Sequence, residues 1–251
     1  MADDDAHVQW SQRHGGLDAR SSGWVAGWVT LTDRVARPLA RREVRAHTVT
    51  ALGVLVTATV PSLAAVGAAW PLAAVPVVVA AAVLDGVDGA LASRTGTTSR
   101  WGQVLDGMAD RVSDLFLVAT LVVLGAPWEL AAVLGALVLL LESVRASAQA
   151  AGMTGPGSVT VAERPARVLV TAFALLFCGL EWWARRVGVD LWPAVDGAVV
   201  ATGLTTVGTV LGVVGLAQLL VSVRVQLRDA TSGAPSVRPD RRGRPRSGPT
   251  G

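Results

Sequence analysis

Between residues 85 and 114 the chain reads DGVDGALASRTGTTSRWGQVLDGMADRVSD, with Asp85 and Asp88 three apart and Asp106 and Asp110 four apart. On a helix each of these spacings brings two side chains to one face, with Cβ atoms about 5–6 Å apart. Ionisable groups inside apolar helices are costly and point to function. Four carboxylates converging in a partly dehydrated place repel one another unless cations neutralise them. The donors are all hard oxygens, with no histidine or cysteine in the stretch, which favours Mg²⁺ or Mn²⁺ over zinc or copper. Four negative charges balance two divalent ions, and paired ions suit displacement at phosphorus because they hold the attacking and leaving oxygens together.

The composition indicates what must hold these carboxylates. Of 251 residues, 51% are hydrophobic and 16% charged, with a mean hydropathy of +0.48. A soluble chain carries roughly a quarter charged residues. The balance excludes disorder and argues for an integral membrane protein. A spanning helix needs about 20 predominantly apolar residues, and such runs lie at 48–67, 70–92, 103–125, 127–149, 165–184 and 196–223. The expectation is an all-α protein: one bundle of six transmembrane helices, with hairpins at Pro61 to Pro71 and at Gly125 to Trp128. Asp85 and Asp88 then end the second span and Asp106 and Asp110 begin the third, so the turn between them brings both pairs together. At 1.5 Å per residue, Asp106 and Asp110 lie within about 6–12 Å of the start of their helix, close to a headgroup layer. The face of Asp85 also carries the small residues Ala81, Ala82, Gly89 and Ala92, which permit close approach, while Met108, Val112 and Leu115 fall opposite Asp106.

All 22 cationic side chains are arginine, and the net charge is only +3. Because short cytoplasmic loops are enriched in basic residues, the clusters at Arg34 to Arg45, Arg94 and Arg100, Arg164 and Arg167, and Arg224 to Arg246 predict cytoplasmic termini. Trp70, Trp128, Trp182, Trp183 and Trp192 fall near the outer boundary and Trp101 near the inner one, as an aromatic belt requires. A nucleic-acid binder would gather its basic residues on one soluble face, whereas these flank apolar segments. The lone Cys178 excludes an internal disulfide, and the acidic start, Met1 to Asp5, is followed by no cleavable signal.

Three regions result. Residues 1–45 hold an amphipathic helix over 22–45, where Trp24, Trp28, Leu31, Val35 and Leu39 recur at helical spacing among arginines, as suits the cytoplasmic interface. Residues 46–225 form the membrane domain. Residues 226–251 form a basic tail; from Asp229 on it is rich in Gly, Pro, Ser and Arg, which predicts disorder and attraction to anionic lipid.

The stretch from Asp85 to Asp110 resembles the signature of the CDP-alcohol phosphatidyltransferase family, DxxDGxxAR, eight residues, then GxxxDxxxD. Asp85, Asp88, Gly89, Ala92, Gly102, Asp106 and Asp110 stand in register. The departure is Ser93, where the family has arginine, with Arg94 one place later. Further similarity covers roughly 34–225. It includes HTVTALG at 47–53, with His47 where Asn or Asp is usual and where helix capping and substrate contact are equally open readings. It also includes Glu142 to Ala146 and Glu163 to Arg167, which resemble the phosphatidylinositol-phosphate synthase branch, although Ser147 replaces a basic residue of that branch.

The resemblance implies transfer of a phosphatidyl group from CDP-diacylglycerol to an alcohol with release of CMP, at the cytoplasmic face of the plasma membrane. Asp85, Asp88, Asp106 and Asp110 would hold the two ions, and Asp110 would also take the acceptor's proton. Gly89, Ala92, Ser93, Arg94, Ser99, Gly102 and His47 would meet the nucleotide or donor headgroup, with Arg94 or Arg100 standing in for the motif arginine. Arg145, Arg164 and Arg167 would bind an acceptor phosphate, since guanidinium suits that group; a polyol phosphate, inositol phosphate first and glycerol phosphate second, is the expected acceptor. Asp114 would pair with Arg111 or another arginine on the cytoplasmic side. The family also tends toward homodimers. Two further readings are a relative impaired by Ser93 and a divalent-cation carrier; the apolar centres of the other helices tell against transport.

Overall fold

The computed structural model describes residues 23–153, 160–189 and 195–232. Among them are seven helices and no strand: α1 Gly23–Arg41, α2 Ala46–Val66, α3 Trp70–Arg94, α4 Arg100–Val123, α5 Trp128–Ala150, α6 Arg164–Arg186 and α7 Gly197–Ser232. Five of them, α2, α3, α5, α6 and the 197–228 stretch of α7, are long and apolar enough to cross a membrane. The remaining expected span, α4, is a full-length helix, but Arg100, Asp106, Asp110, Arg111 and Asp114 crowd its first half. Its apolar residues begin in earnest only at Leu115, so its membrane character depends on its neighbours as much as on its own sequence.

Helix ends follow local chemistry. Pro71 opens α3, where a missing N–H costs nothing. At its far end Gly96 takes φ 64°, and the Thr97 N–H bonds back to Ala92 O at 3.0 Å, the left-handed closure that glycine accommodates without strain. Ser99 then caps α4 by accepting a hydrogen bond from the Gly102 N–H at 2.9 Å. Pro61 lies inside α2, so the first hairpin is only residues 67–69, tighter than the expected Pro61 to Pro71 connector. The last helix runs on to Ser232, so residues 226–232, assigned to the tail from composition, are helical. The remainder of the expected tail, the acidic start and Trp192 lie outside the described residues.

Packing differs from the expected hairpin in one respect that matters for the site. Helix α2 packs against both α3 and α4, whereas α3 and α4 have almost no contact of their own. They splay apart around α2. On the other side α6 packs on α3 and α7, and α5 on α7. One core cluster joins Val60, Ala64, Ala74, Val78, Leu117 and Leu175 from four helices, and another joins Leu121, Leu134, Val138, Val170 and Ala201. Close approaches of Gly179 to Leu72, of Gly197 to Cys178 and of Gly125 to Ala198 bring Trp70, Trp128, Trp182 and Trp183 to one end of the bundle. All four are exposed there, and so is Trp101 at the start of α4.

Candidate metal and phosphate site

Asp85, Asp106 and Asp110 each offer a carboxylate oxygen within 4.8 Å of the others. The helical spacing within each pair sets their faces, and α2 sets the gap between α3 and α4 across which they meet. Asp88 stands beside this group. It is buried, its Oδ2 accepts a hydrogen bond from Thr50 Oγ1 at 2.6 Å, and its Oδ1 accepts one from the Gly89 N–H at 2.6 Å. Thr50 was not singled out from the sequence: threonines that bond their own helix backbone are common here, Thr57 and Thr120 among them, and nothing local marks Thr50 as different.

A cavity of about 150 Å³ opens on the Asp88 side, lined by His47, Thr50, Asp88, Gly89, Ala92, Thr97, Ser99, Gly102 and Asp106 among others. Most of the residues expected to meet the donor thus share one hollow. His47 does not cap α2, whose N-cap is Arg45; its ring lies against Gly102, where a Cβ would come within 3.0 Å of His47 Cε1. That contact gives a physical reason for glycine at the first fixed position of the motif's second half. Met108, Val112 and Leu115 are exposed on the far side of α4, as the spacing predicts.

The three arginines expected to bind the acceptor are each engaged with carboxylates. Arg164, at the start of α6, donates to both Asp85 and Asp110. Arg167 donates to Asp114, which is 3% exposed, and lies 3.4 Å from Glu142. Arg145 reaches Glu163 at 2.9 Å and Glu142 at 3.4 Å. The partner of Asp114 is therefore Arg167, while Arg111 donates to the Gly107 carbonyl. Neither Arg94 nor Arg100 lines the cavity: Arg94 is held by Asp33 of α1 through Nε at 3.0 Å and Nη2 at 2.7 Å.

The donor set fits hard divalent cations: three carboxylates gather with oxygens within 4.8 Å of one another, and the single charge of Arg164 offsets only part of theirs. Such a site, beside a hollow lined in part by His47, Thr50, Asp88 and Asp106 and carried on helices of a membrane bundle, has the donor groups that metal-assisted chemistry on phosphate esters requires. Residues 44–220 match the profile of CDP-alcohol phosphatidyltransferases, and the chain belongs to that family. It is 29% identical over 245 residues to the phosphatidylinositol phosphate synthase of Mycobacterium marinum, covering 90% of this chain and 94% of that protein. It is 30% identical over 112 residues to the archaetidylinositol phosphate synthase of Pyrococcus horikoshii, covering 44% of this chain but only 59% of that protein. The fold is shared with the phosphatidylinositol phosphate synthase of Mycobacterium tuberculosis solved with CDP-DAG bound, at a TM-score of 0.58 and 23% identity over 76% of this chain and 92% of that one. That enzyme has also been solved in complex with manganese and citrate, with the same TM-score.

Proposed function

We propose that the protein transfers a phosphatidyl group from CDP-diacylglycerol to the hydroxyl of a polyol phosphate, with inositol phosphate the first candidate. The observation that carries this reading is the meeting of Asp85, Asp106 and Asp110 across the gap between α3 and α4, with Asp88 and the hollow that it lines beside them. The names of the mycobacterial relatives support the acceptor. In this reading residues 46–225 form the catalytic unit, the site faces the cytoplasm with both termini on that side, and the chain pairs with a second copy.

Asp85, Asp88, Asp106 and Asp110 would hold two Mg²⁺ or Mn²⁺ ions, which supply Lewis-acid stabilisation of charge at the donor's pyrophosphate. The chain's own residues do the rest. The hollow beneath His47 and Gly102 receives the nucleotide, with Gly89 and Ala92 leaving room for it. Asp110 accepts the proton of the acceptor hydroxyl as that oxygen bonds to the phosphorus bearing the diacylglycerol. The bond from this phosphorus to the bridging oxygen breaks, and the electron pair leaves with CMP. Arg164 bonds Asp110 through Oδ1, so Oδ2 is the oxygen that takes the proton, and an acceptor phosphate offers the guanidinium a further, bidentate partner. Arg145 and Arg167, bound to Glu142, Glu163 and Asp114, shape the wall behind it.

The test is release of CMP by purified protein given CDP-diacylglycerol, Mg²⁺ and a panel of alcohols and alcohol phosphates. Release with a phosphorylated polyol supports the reading. A second reading, a relative that binds donor but turns it over poorly, is favoured by one observation, the capture of Arg94 by Asp33 beside Ser93. Ser93→Arg accelerating CMP release at least about tenfold would favour that reading over the first, a change of about 1.4 kcal/mol in the barrier.

A further inference from the structure

Asp33 lies on α1, ahead of residue 44, where the family match begins, yet it is only 6% exposed. Its two oxygens accept three hydrogen bonds from Arg94, the last residue of α3, and Arg37 bonds it from one turn along α1. Two more contacts fix α1 on the same side of α3. Gly86 approaches Thr32 and Trp28 so closely that a Cβ would stand 2.6 Å from Thr32 Cγ2 and 3.1 Å from Trp28 Nε1. Ala36 is buried with Val87 and Leu91. At about 100° per residue, Gly86, Val87 and Arg94 fall on one side of the helix and Asp85 and Asp88 on the other, with Leu91 between them.

We infer that Asp33 is a positioning residue for the metal site: through Arg94 it clamps α1 to the back of α3 and so fixes the direction in which Asp85 and Asp88 point across the gap to α4. The gap makes such a device necessary. Because α3 and α4 scarcely touch, the end of α3 takes its alignment from α2 and α6, the latter through Arg164, and from α1 at its back. The clamp also accounts for the motif's departure. Moving the arginine from position 93 to 94 turns it about 100° around the helix, away from the aspartate face and toward α1.

The inference rests on the divalent-cation reading of the aspartates, and its test reads ion affinity rather than turnover. Mn²⁺ binding to purified full-length protein would be titrated by electron paramagnetic resonance, with thermal unfolding to establish that each variant is folded. Removing a residue that supports a metal's ligands typically costs 10- to 100-fold in affinity, so Asp33→Ala and Arg94→Ala should each weaken Mn²⁺ binding by at least about tenfold. The double variant should be no worse than either single one, because both remove the same pair. Asp33→Glu should restore most of the loss, Asp33→Asn serves if Asp33→Ala does not fold, and Arg37→Ala should stay within about threefold of wild type. Asp33 variants binding Mn²⁺ within about twofold of wild type, additive losses, or an equal loss in Arg37→Ala would each overturn the clamp and leave the proposed function standing. A wild type that binds no Mn²⁺, like Asp106→Asn, would overturn the cation reading and the clamp together.

Discussion

Arg164 bonds both Asp85 and Asp110, so a single guanidinium spans two helices, α3 and α4, that hardly meet otherwise. The residue comes from a third helix, α6, and reaches partners 79 and 54 positions away in the chain. It places the charge that would bind an acceptor's phosphate beside the carboxylate that would take the acceptor's proton.

Removing that guanidinium should be felt chiefly by the acceptor. Charge-assisted hydrogen bonds contribute about 1.5–3 kcal/mol, so Arg164→Ala should raise KM for a phosphorylated acceptor about 10- to 100-fold, while KM for CDP-diacylglycerol changes by less than about threefold. Arg164→Lys keeps the charge without the planar fork and should fall between. Steady-state kinetics with each substrate varied separately decides this; an equal rise for both substrates contradicts the assignment.

Asp110 has a different signature. A general base contributes typically 10²- to 10⁴-fold, so Asp110→Asn should lower kcat by about that factor in single-turnover measurements of CMP release. Asp106→Asn should instead weaken Mn²⁺ binding. Retention of more than about a tenth of wild-type kcat in Asp110→Asn would remove it from the reaction.

Behind the site, Asp114 and Arg167 form a largely buried pair, their side chains 3% and 13% exposed, while Asp114 Oδ1 and Arg167 Nε have no hydrogen-bond partner. Removing Asp114 leaves Arg167 only the longer 3.4 Å contact with Glu142, so Asp114→Ala should destabilise the protein by up to about 3–5 kcal/mol. Replacing both, Asp114→Leu with Arg167→Met, should recover most of that. Thermal unfolding in detergent measures both, and a single variant as stable as wild type would show that the pair carries no such cost.

The contact of α6 with α3 depends on Gly179, where a Cβ would stand 2.5 Å from Leu72 Cγ and 2.9 Å from the Leu72 backbone nitrogen. Backbone cannot move aside as a flexible side chain can. Gly179→Ala should cost about 1–3 kcal/mol by overpacking, seen as a lowered midpoint of thermal unfolding, with the Mn²⁺ affinity of the surviving folded protein unchanged.

The aspartates were legible in the sequence because helical spacing and apolar surroundings act locally: Asp85, Asp106 and Asp110 meet as their register predicts. The helices were legible for the same reason, and only the ends moved, as at Pro61, which α2 simply carries through. Long-range pairing left no such trace. Arg164 reads equally well as a loop arginine on the cytoplasmic side, and only the packing of α6 on α3 brings it to Asp85. Asp33 carries no local signal at all, since the bond that buries it comes from Arg94, 61 positions later. The splaying of α3 and α4 was hidden too, because a short turn between helices implies nearness without specifying that α2 packs between them.

The measurement that bears most directly on the whole account is CMP release from CDP-diacylglycerol with inositol phosphate present, followed through removal of divalent ions and their return. Activity should vanish on chelation, come back with Mg²⁺ or Mn²⁺, and be absent from Asp106→Asn under all three conditions. Undiminished activity after chelation, or an Asp106→Asn variant as fast as wild type, would contradict it.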